Sequence, residues 1–335
     1  MKFDFETALK NTPLCKEPCD AVKFCYQAAY GPHHLLGEDA ESHFNKEYES
    51  VLASDGQLTE QLSEEYFRIN IAVWKHKCLP RKWLFNMFYM SAGQSEKTDP
   101  KPFFEIMKKL ASDGELPFDE KALNEYLKTY DGGAVSHSEA VRKKASYRVV
   151  HKKYARLIPL LEALNKSKVM AIDGRAAAGK STLAKTLSDV TGASVIHMDD
   201  FFLPPHLRSE ERLSEAGGNI DYDRFAKEVL PPLKDGKAFF YNRFDCATMA
   251  MGEKINVKEA EHYIVEGSYS HHPLFENYAD VLVFCDVLPK EQLSRIANRN
   301  GKEMLSAFKE KWIPMEEAYF KAFAIKEKAD IVTCL

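Results

Sequence analysis

The sequence predicts two domains of different class: an all-α domain over residues 1–165, followed by an α/β domain with a doubly wound, mostly parallel sheet over residues 166–335. Three observations lead to this division. The chain has 335 residues, more than a single domain usually contains. Up to about residue 165, apolar residues recur at three- and four-residue spacing, which is typical of helices. From Lys168 onwards, short β-type runs alternate with helical stretches, which predicts a parallel sheet covered on both faces.

The composition is that of a globular protein and indicates a cytoplasmic one. Hydrophobic residues make up 45% of the chain, enough apolar material for two cores, and the net charge of -4 argues against a general binder of nucleic acid or acidic membranes. The first ten residues lack the apolar region of a signal peptide, and no apolar run approaches membrane-spanning length. The seven cysteines form no CxxC pair, so we expect reduced thiols. The oligomeric state is left open, and a homo-oligomer is one alternative.

Residues 1–165 carry the periodicity of helices almost throughout. Apolar and aromatic residues repeat every three to four positions over 58–74 and 81–90, which predicts helices there. The clearest helix is predicted after Ser136, because Ser136 and Glu139 have the spacing of a capping box and one apolar face continues to Leu164. The aromatic residues expected in the core are Trp74, Trp83, Phe85 and Phe88.

One polar cluster interrupts this pattern. His33 and His34 follow a Gly-Pro turn, with Glu38 and His43 nearby. These side chains could bind a metal or a substrate, although loop and cap residues of this kind are commoner. The role of residues 1–165 stays open.

A complete phosphate-binding motif opens the second domain. The segment GRAAAGKS, from Gly174 to Ser181, matches GxxxxGK[ST], and it follows a predicted strand over 169–173 and precedes a predicted helix. In that position backbone N–H groups surround phosphate oxygens at a helix N-terminus. Lys180 is expected to reach the β- and γ-phosphates of ATP, and Ser181 to bind Mg²⁺. No NKxD motif supports guanine specificity. The residues expected at ATP are Gly174, Arg175, Ala176, Ala177, Ala178, Gly179, Lys180, Ser181 and Thr182.

Two acidic residues are predicted at the carboxyl ends of strands. Asp199 follows the predicted strand 194–197, which we expect next to the P-loop strand, so its carboxylate would face the crevice where ligands bind in open α/β sheets. There it could take the proton of an attacking hydroxyl and help to order Mg²⁺, and capping a turn is the alternative. Glu266 ends the strand 263–266 before Gly267, an arrangement that organises the metal through waters. The residues that follow could line the same crevice, although a tandem His is more often solvent-facing: Ser268, Tyr269, His271 and His272.

Arg295 and Arg299 are four residues apart in a predicted helix and therefore share one face. On a mobile helix, two guanidinium groups could close over the phosphates and neutralise the charge that develops during transfer. An ordinary solvated basic face fits the spacing equally well.

Residues 166–335 resemble the uridine kinase and phosphoribulokinase family, because five segments occur in the family's order: GRAAAGKST, HMDDFFLP, NIDYDRF, YIVEGSY and LSRIANR. The resemblance implies a P-loop kinase fold with a helix after the lid at 312–319 and a closing strand at 329–332. The matched positions are Asp199 as catalytic base, Lys180 and Ser181 in the P-loop, Glu266 near the metal, and Arg295 and Arg299 in the lid. The N-terminal half resembles a helical extension found fused to some such kinases.

The chain departs from uridine kinases at two positions. They tend to have Tyr where this chain has Phe202, and a His downstream of the position of Tyr241, which this chain lacks. The resemblance therefore implies phosphoryl transfer without specifying uridine. Asp221 is a candidate for contacting substrate hydroxyls, or else a first-turn acid of a helix. Tyr241 is a second candidate, and Arg243 could meet an anionic substrate group or lie on the surface.

These features predict an ATP- and Mg²⁺-dependent kinase that transfers the γ-phosphoryl group to a hydroxyl of a small molecule, either a nucleoside or a sugar-like compound. One alternative is a sugar phosphate or vitamin precursor as acceptor, with Arg243 as the discriminating residue. Another is an ATP-dependent switch that controls the helical domain. Asp199 argues against the switch, because a switch needs no base for an acceptor.

Overall fold

The structure, a computed structural model, describes residues 3–32, 37, 39–93, 98–246 and 248–334. The chain divides into two compact units, Met1–Pro159 and Leu160–Leu335, which we call the N-terminal unit and the P-loop unit. Each unit has its own cluster of buried apolar side chains. In the part of the chain that is described, no helix has both the length and the apolar character needed to cross a bilayer.

The N-terminal unit is mostly helical, but it is not all-α as predicted. Its described residues include an antiparallel sheet in the strand order β1-β2-β3. The elements are α1 (Phe5–Asn11), α2 (Pro18–Tyr30), α3 (Ala40–Ser50), β1 (Thr59–Gln61), β2 (Tyr66–Asn70), α4 (Ile71–His76), α5 (Arg81–Ala92), α6 (Lys101–Ser112), α7 (Glu120–Thr129), α8 (Glu139–Arg142), β3 (Tyr147–His151) and α9 (Lys152–Ala155), with α10 (Ile158–Leu164) at the division between the units.

Strands β1 and β2 lie where a helix was predicted over 58–74. In β2, Arg68 pairs with Glu60 of β1 on one side and with Val149 of β3 on the other. Asn70 ends the strand, since its side-chain oxygen accepts hydrogen bonds from two N–H groups of the first turn of α4. A short apolar run fits either a helical or a strand period, and here pairing with two neighbouring strands decided the outcome.

The long helix predicted over 136–164 is also wrong, because this segment forms α8, β3, α9 and α10. The N-cap of α8 is Ser138, and its hydroxyl donates to Asp20 at 2.8 Å instead of capping the helix. The two adjacent valines of β3 are β-branched and favour a strand. His151 then starts α9 by accepting a hydrogen bond from the N–H of Lys153 at 3.2 Å.

The aromatic residues predicted as core occupy the core. Trp74, Trp83 and Phe88 are buried, and Phe85 is half-buried against Phe44, with ring centroids 5.6 Å apart. This part of the prediction is confirmed. It held although the neighbouring secondary structure was wrong, because large apolar side chains are buried whichever element carries them.

The polar cluster proposed around the Gly-Pro turn falls largely outside the described residues, which include neither His33, His34 nor Glu38. His43 is exposed on α3. The possibility of a metal or substrate site at this turn stays a prediction.

The P-loop unit has the predicted doubly wound fold. Its main sheet has five parallel strands in the order β10-β9-β4-β8-β5. The elements are β4 (Val169–Gly174), α11 (Lys180–Thr191), β5 (Ser194–His197), α12 (Glu210–Ser214), α13 (Tyr222–Glu228), α14 (Leu230–Asp235), β6 (Phe239–Asp245), β7 (Ala250–Val257), β8 (Tyr263–Glu266), β9 (Val281–Asp286), α15 (Pro289–Ala307), α16 (Ile313–Phe323) and β10 (Ile331–Cys334), with 3₁₀ turns at Met198–Phe201, Pro205–Leu207 and Pro273–Phe275 and a π-helical turn at Phe308–Trp312.

The strand order places the P-loop at the centre of the sheet. Strand β4 is buried along its whole length and lies between β8 and β9. Strand β5 pairs with β8, so β8 separates it from β4. The prediction that β5 lies next to the P-loop strand is therefore wrong. Sequence order does not reveal which strands a crossover brings together, so this position required the structure. The carboxyl ends of β4, β8 and β5 nevertheless open onto one crevice, where the order of connections reverses.

A separate antiparallel hairpin, β6 paired with β7, was not predicted. In β6 the side chains of Phe239, Tyr241 and Phe244 point inward, while Phe240, Asn242 and Arg243 are exposed. The register shifts between Asn242 and Phe244, which breaks the simple alternation that identifies a strand in a sequence.

Candidate active site

The P-loop connects β4 to α11, and two of its positions require glycine. Gly174 has φ +133°, and a Cβ atom there would overlap the carbonyl group of Cys285. Gly179, the N-cap of α11, has φ +95°. Ala177 adopts φ +57° although it carries a Cβ atom, a sparsely populated conformation that clusters at ligand-binding sites. These turns close the loop in front of α11, where N–H groups without intrahelical partners favour a phosphate.

The side chains that follow the glycines lie across the loop. Lys180 Nζ donates to the carbonyl oxygens of Gly174 at 2.7 Å and Arg175 at 3.0 Å, and it lies 3.2 Å from Ser268 Oγ. The Ser181 hydroxyl donates to a carboxylate oxygen of Glu266 at 3.1 Å. The P-loop and the end of β8 thus form one polar group.

Glu266 connects the P-loop helix to the end of β5. The residue is 4% exposed, and its second carboxylate oxygen lies 2.5 Å from Nδ1 of His197. This hydrogen bond raises the pKa of His197, and the negative charges of Asp200 and Asp199 act in the same direction. The sequence analysis missed His197, because one histidine at a strand end has no distinguishing spacing.

Asp199 lies in the 3₁₀ turn that follows β5, and its carboxylate is open to the cleft. Gly267 packs against the start of this turn, where a Cβ atom would be 2.8 Å from Met198 Cβ, and its φ of +137° also favours glycine. The surrounding protein removes solvent and raises the pKa of Asp199; Glu266 raises it further, while Lys180 lowers it. A carboxylate with a raised pKa is a better proton acceptor than an ordinary aspartate.

Helix α15 reaches the P-loop through two side chains. Gln292 Nε2 donates to the carbonyl of Ala176 and Arg295 Nη1 to the carbonyl of Ala177, both at 3.2 Å. Arg299 lies on the same side of the helix and is exposed to the cleft. Both arginines that were predicted in the lid therefore line the same cleft as the P-loop.

The lid helix is interrupted within its length. Gly301 has φ +81°, so α15 consists of two helical segments joined at this residue. Beyond it, four side chains complete one wall of the cleft: Met304, Phe308, Lys311 and Trp312. The break changes the direction of the chain, so that residues before and after Gly301 can face the same space.

Glu316 of α16 supports the P-loop from its buried side. One carboxylate oxygen accepts the N–H of Ala176 at 2.9 Å and the other accepts the hydroxyl of Ser268 at 2.7 Å. Burial raises the pKa of Glu316, and the positive charge of Lys180 partly offsets this. From the sequence, Glu316 was predicted only to lie in the helix after the lid, without a role.

Arg175 also ties the P-loop to α16. Its Nε donates to Glu317 at 2.6 Å, and the guanidinium also pairs with Asp286 at the end of β9. The hydrogen bond to Glu317 raises the pKa of Arg175. This side chain therefore points towards protein carboxylates, and only its backbone is left for the nucleotide.

Asp173, the residue before the P-loop, is fully buried. Its carboxylate accepts hydrogen bonds from the N–H groups of Gly174 at 2.7 Å, Tyr269 at 3.2 Å and His271 at 3.1 Å, and from the Tyr319 hydroxyl at 2.9 Å. One carboxylate thus holds together the start of the P-loop, the loop after β8, and α16. Sequence patterns did not single it out, because an apolar strand ending in Asp is common.

The site is a cleft of about 660 Å³. It brings together the predicted catalytic and metal-binding side chains of Lys180, Ser181, Asp199, Glu266, Arg295 and Arg299. Among the residues expected at ATP, Gly174, Arg175 and Ala178 do not line it. Those that do are Ala176, Ala177, Gly179, Lys180, Ser181 and Thr182.

None of the three residues predicted to contact substrate is among the described residues that line this cleft. Asp221 is the N-cap of α13 and accepts the N–H of Arg224 at 3.1 Å. Tyr241 is buried and donates its hydroxyl to Asp200 at 2.7 Å. Arg243 lies half-exposed, 3.2 Å from the same Asp200. The structure thus gathers these side chains around the turn that carries Asp199.

The tandem histidines after β8 are buried, contrary to the solvent-facing expectation. His271 Nε2 lies 3.0 Å from the carbonyl oxygen of Ala171, and the His272 ring stacks on Tyr319 with a centroid distance of 5.7 Å. Both serve the packing beneath the cleft, whereas Ser268 and Tyr269 line it as predicted.

The oxygen atoms of Ser181, Asp199 and Glu266 fit a magnesium ion that is bound together with a nucleotide. Mg²⁺ prefers oxygen ligands and usually keeps waters, so one or two carboxylates plus phosphates suffice. In the described residues, no group of three or more His, Cys, Asp or Glu side chains could enclose an ion.

No family model and no curated protein matches the sequence. Solved structures resemble about half of the chain. A "possible uridine kinase" from Bacillus stearothermophilus is 23% identical, with a TM-score of 0.38 over 49% of this chain and 87% of that one. A "putative fructose transport system kinase" from a Silicibacter species is 22% identical, with a TM-score of 0.44 over 53% and 97%. Deoxyadenosine kinase from M. mycoides is 17% identical, with a TM-score of 0.28 over 50% and 90%.

Proposed function

We propose that the P-loop unit is an ATP-dependent kinase that transfers the γ-phosphoryl group to a hydroxyl of a small molecule, either a nucleoside or a sugar-like compound. The observation that supports this most strongly is the position of Asp199 in one cleft with Lys180 and Ser181. A nucleotide switch uses a P-loop but needs no carboxylate to deprotonate an acceptor.

In the proposed reaction Asp199 takes the proton of the acceptor hydroxyl. The acceptor oxygen forms a bond to the γ-phosphorus while the bond from that phosphorus to the β–γ bridging oxygen breaks, which leaves ADP. The pKa of Asp199 is raised by desolvation and by Glu266, which makes its carboxylate a stronger base.

Three cations are positioned to stabilise the transferring group. Lys180 lies over the P-loop, and Arg295 and Arg299 approach from the lid helix. Charge on the phosphoryl oxygens is spread in the transition state, so donors held in place beforehand lower the barrier without reorganisation. Because Arg295 already bonds a P-loop carbonyl, part of the lid is held against the loop in this structure.

Magnesium bound with ATP would neutralise charge on the phosphates. Ser181 would hold it, with Asp199 and Glu266 acting directly or through water. In this structure the Ser181 hydroxyl donates to Glu266, which leaves the lone pairs of its oxygen for the ion.

The test is ATP consumption with Mg²⁺ against a panel of nucleosides, sugars, sugar phosphates and vitamin precursors, with Lys180→Ala as the blank. We expect one acceptor class to raise turnover far above basal hydrolysis, and Asp199→Asn to lower its kcat by about 10²- to 10⁴-fold, the usual size of general-base catalysis. Full turnover by Asp199→Asn, together with loss of turnover in Lys180→Ala, would contradict the role of Asp199. A flat panel with ATP still tightly bound would support the switch instead.

A further inference from the structure

One wall of the cleft belongs neither to the P-loop nor to the lid. It is formed by the chain that follows Asp199 and by the start of the β6–β7 connection, and we call it the acceptor wall: Phe202, Arg208, Leu213, Asn219 and Cys246. The proposed roles of the nucleotide-binding residues leave this wall without a function.

Arg208 and Asn219 are fixed to the same buried residue. The N–H of Leu203 donates to the backbone carbonyl of Asn219 at 2.8 Å, and the carbonyl of Leu203 accepts Nε of Arg208 at 2.6 Å. Leu203 is 3% exposed. The Arg208 side chain and the Asn219 backbone are therefore attached to one buried residue shortly after the proposed base.

Asn219 has a buried acceptor without a partner beside the cleft. The residue is 6% exposed and lines the cleft, yet its Oδ1 has no hydrogen-bond partner among the described residues. Beside it, Tyr269 lines the cleft with φ +76°, a strained conformation for a residue other than glycine. Buried polar atoms are almost always paired, and a ligand that donates an O–H or N–H would pair this one.

Arg208 has unused donors in the same wall. Its Nε is bound to Leu203, but its terminal nitrogens make no hydrogen bond or ion pair with any residue in the described part of the chain. The guanidinium is half-buried and lies 6.0 Å from the ring of Phe244. The other cations that line the cleft belong to the P-loop or to the segment that begins with α15: Lys180, Arg295, Arg299 and Lys311.

We infer that the acceptor wall selects an anionic acceptor, with a carboxylate or phosphate group on Arg208 and an O–H or N–H donor on Asn219 Oδ1. This inference rests on the proposed function, whose acceptor it narrows to hydroxylated acids or phosphate esters. It also replaces Arg243, which was the sequence-based candidate for this role. Arg243 is 3.2 Å from Asp200 and 3.4 Å from Glu253, so its charge is already balanced.

The inference is tested by calorimetric binding, with the P-loop filled by Mg²⁺ and a non-hydrolysable ATP analogue. Two matched series serve as probes: glycerol, glycerate and glycerol 3-phosphate; and ribose, ribonate and ribose 5-phosphate. We expect the anionic members of at least one series to bind about tenfold or more tightly than the neutral member, the ratio that a charge-assisted hydrogen bond provides. The carboxylate and phosphate members show which of the two anions the wall accepts.

Variants assign the effect to the wall. Arg208→Gln should remove the preference for anionic probes, Arg208→Lys should keep part of it, and the matched control Arg243→Gln should keep all of it. Asn219→Leu should weaken every member of a series by a similar factor, because it removes the shared acceptor. Unchanged affinity for the ATP analogue in each variant shows that the fold is intact.

Three results would overturn the inference: neutral probes binding as tightly as anionic ones, equal weakening of both kinds by Arg208→Gln, or no binding by any anionic probe. The proposed function is judged separately, by turnover that depends on Lys180. Turnover with a neutral acceptor would leave the kinase standing and remove the anionic subsite. Binding of anions that depends on Arg208, without turnover of any acceptor, would support the anionic subsite and contradict the proposed kinase activity.

Discussion

Each unit of the chain contains a buried aspartate that joins distant segments, and the two are used differently. In the N-terminal unit, Asp20 accepts hydrogen bonds from the N–H groups of Lys16 and Glu17 and from the side chains of His137 and Ser138. In the P-loop unit, Asp173 accepts four hydrogen bonds of the same kind. The same arrangement therefore serves two purposes.

The difference lies in what the carboxylates hold. The network around Asp20 is closed, because His137 continues to the Tyr147 hydroxyl at 2.7 Å, and this hydroxyl lies 3.2 Å from Gln27. The network around Asp173 ends at an open cleft, since the loop after β8 and α16 both contribute side chains to its lining. Buried charge that is fully paired internally stabilises a fold, whereas buried charge that holds open-sided loops prepares a site.

The largest expected effect comes from exchanging either aspartate. Asp20→Asn and Asp173→Asn each turn an N–H₂ group towards existing donors, and we expect each to lower the free energy of unfolding by about 3–5 kcal/mol. Only Asp173→Asn should also weaken ATP binding. Urea unfolding followed by tryptophan fluorescence, with a separate titration of ATP, measures both quantities. Equal weakening of ATP binding by Asp20→Asn would remove the distinction between the two networks.

The second prediction concerns pH. Burial lowers the pKa of His137 from 6.5 to about 4 although it faces Asp20. The unfolded chain therefore binds the proton first, so this contribution to stability is complete above pH 6.5 and is lost as the pH falls towards 4. The loss should be on the order of 3 kcal/mol.

Unfolding by urea at several pH values checks this prediction, with His137→Gln as the control. The variant should be less stable at neutral pH but should lose the slope between pH 6.5 and 4. The pKa of Asp20 lies below its ordinary value, because hydrogen bonds from His137 and Ser138 outweigh its burial. Protonation of Asp20 should therefore lower stability only in more acidic solution. A slope that persists in His137→Gln would assign the pH dependence to another group.

A smaller effect should separate the two acids of α16. Glu316→Gln leaves a donor facing either Ala176 or Ser268, so we expect the Kd of ATP to rise about tenfold, or about 1.4 kcal/mol. The neighbouring control Glu317→Gln weakens a partly exposed ion pair with Arg175. It should weaken the binding free energy of ATP by less than about 1 kcal/mol. If both variants bind ATP equally, the hydrogen bond to Ala176 does not shape the loop.

The smallest predicted change concerns Asp221. As the N-cap of α13 it should contribute about 1 kcal/mol to stability, so Asp221→Ala should lower the unfolding midpoint and leave the KM of the acceptor unchanged. Asp223→Ala, in the exposed first turn of the same helix, is the control. A raised KM with unchanged stability would indicate that Asp221 contacts the substrate, as the family resemblance implied.

Much of the P-loop unit could be predicted from the sequence. The strands Ser194–His197 and Tyr263–Glu266 were predicted at the observed bounds. In an α/β domain, short apolar runs between turn residues form buried parallel strands. The same reasoning failed over 58–74 and 136–164, where mixed apolar and polar residues fit both periods and partner strands decided between them.

The sequence by itself determined the phosphate-binding loop and the residue types around it, because these depend on local requirements: glycine at positive φ, a lysine and a hydroxyl at a helix N-terminus, and acids after strands. Only the tertiary structure decided which side chains face the cleft. Asp221 caps a helix, and Tyr241 and Arg243 pair with Asp200. Arg208, which lies outside every quoted motif, and Asn219, which begins the NIDYDRF segment but was given no role, line the wall instead. The direction of a side chain depends on contacts between segments far apart in the chain, and a linear pattern does not contain these contacts.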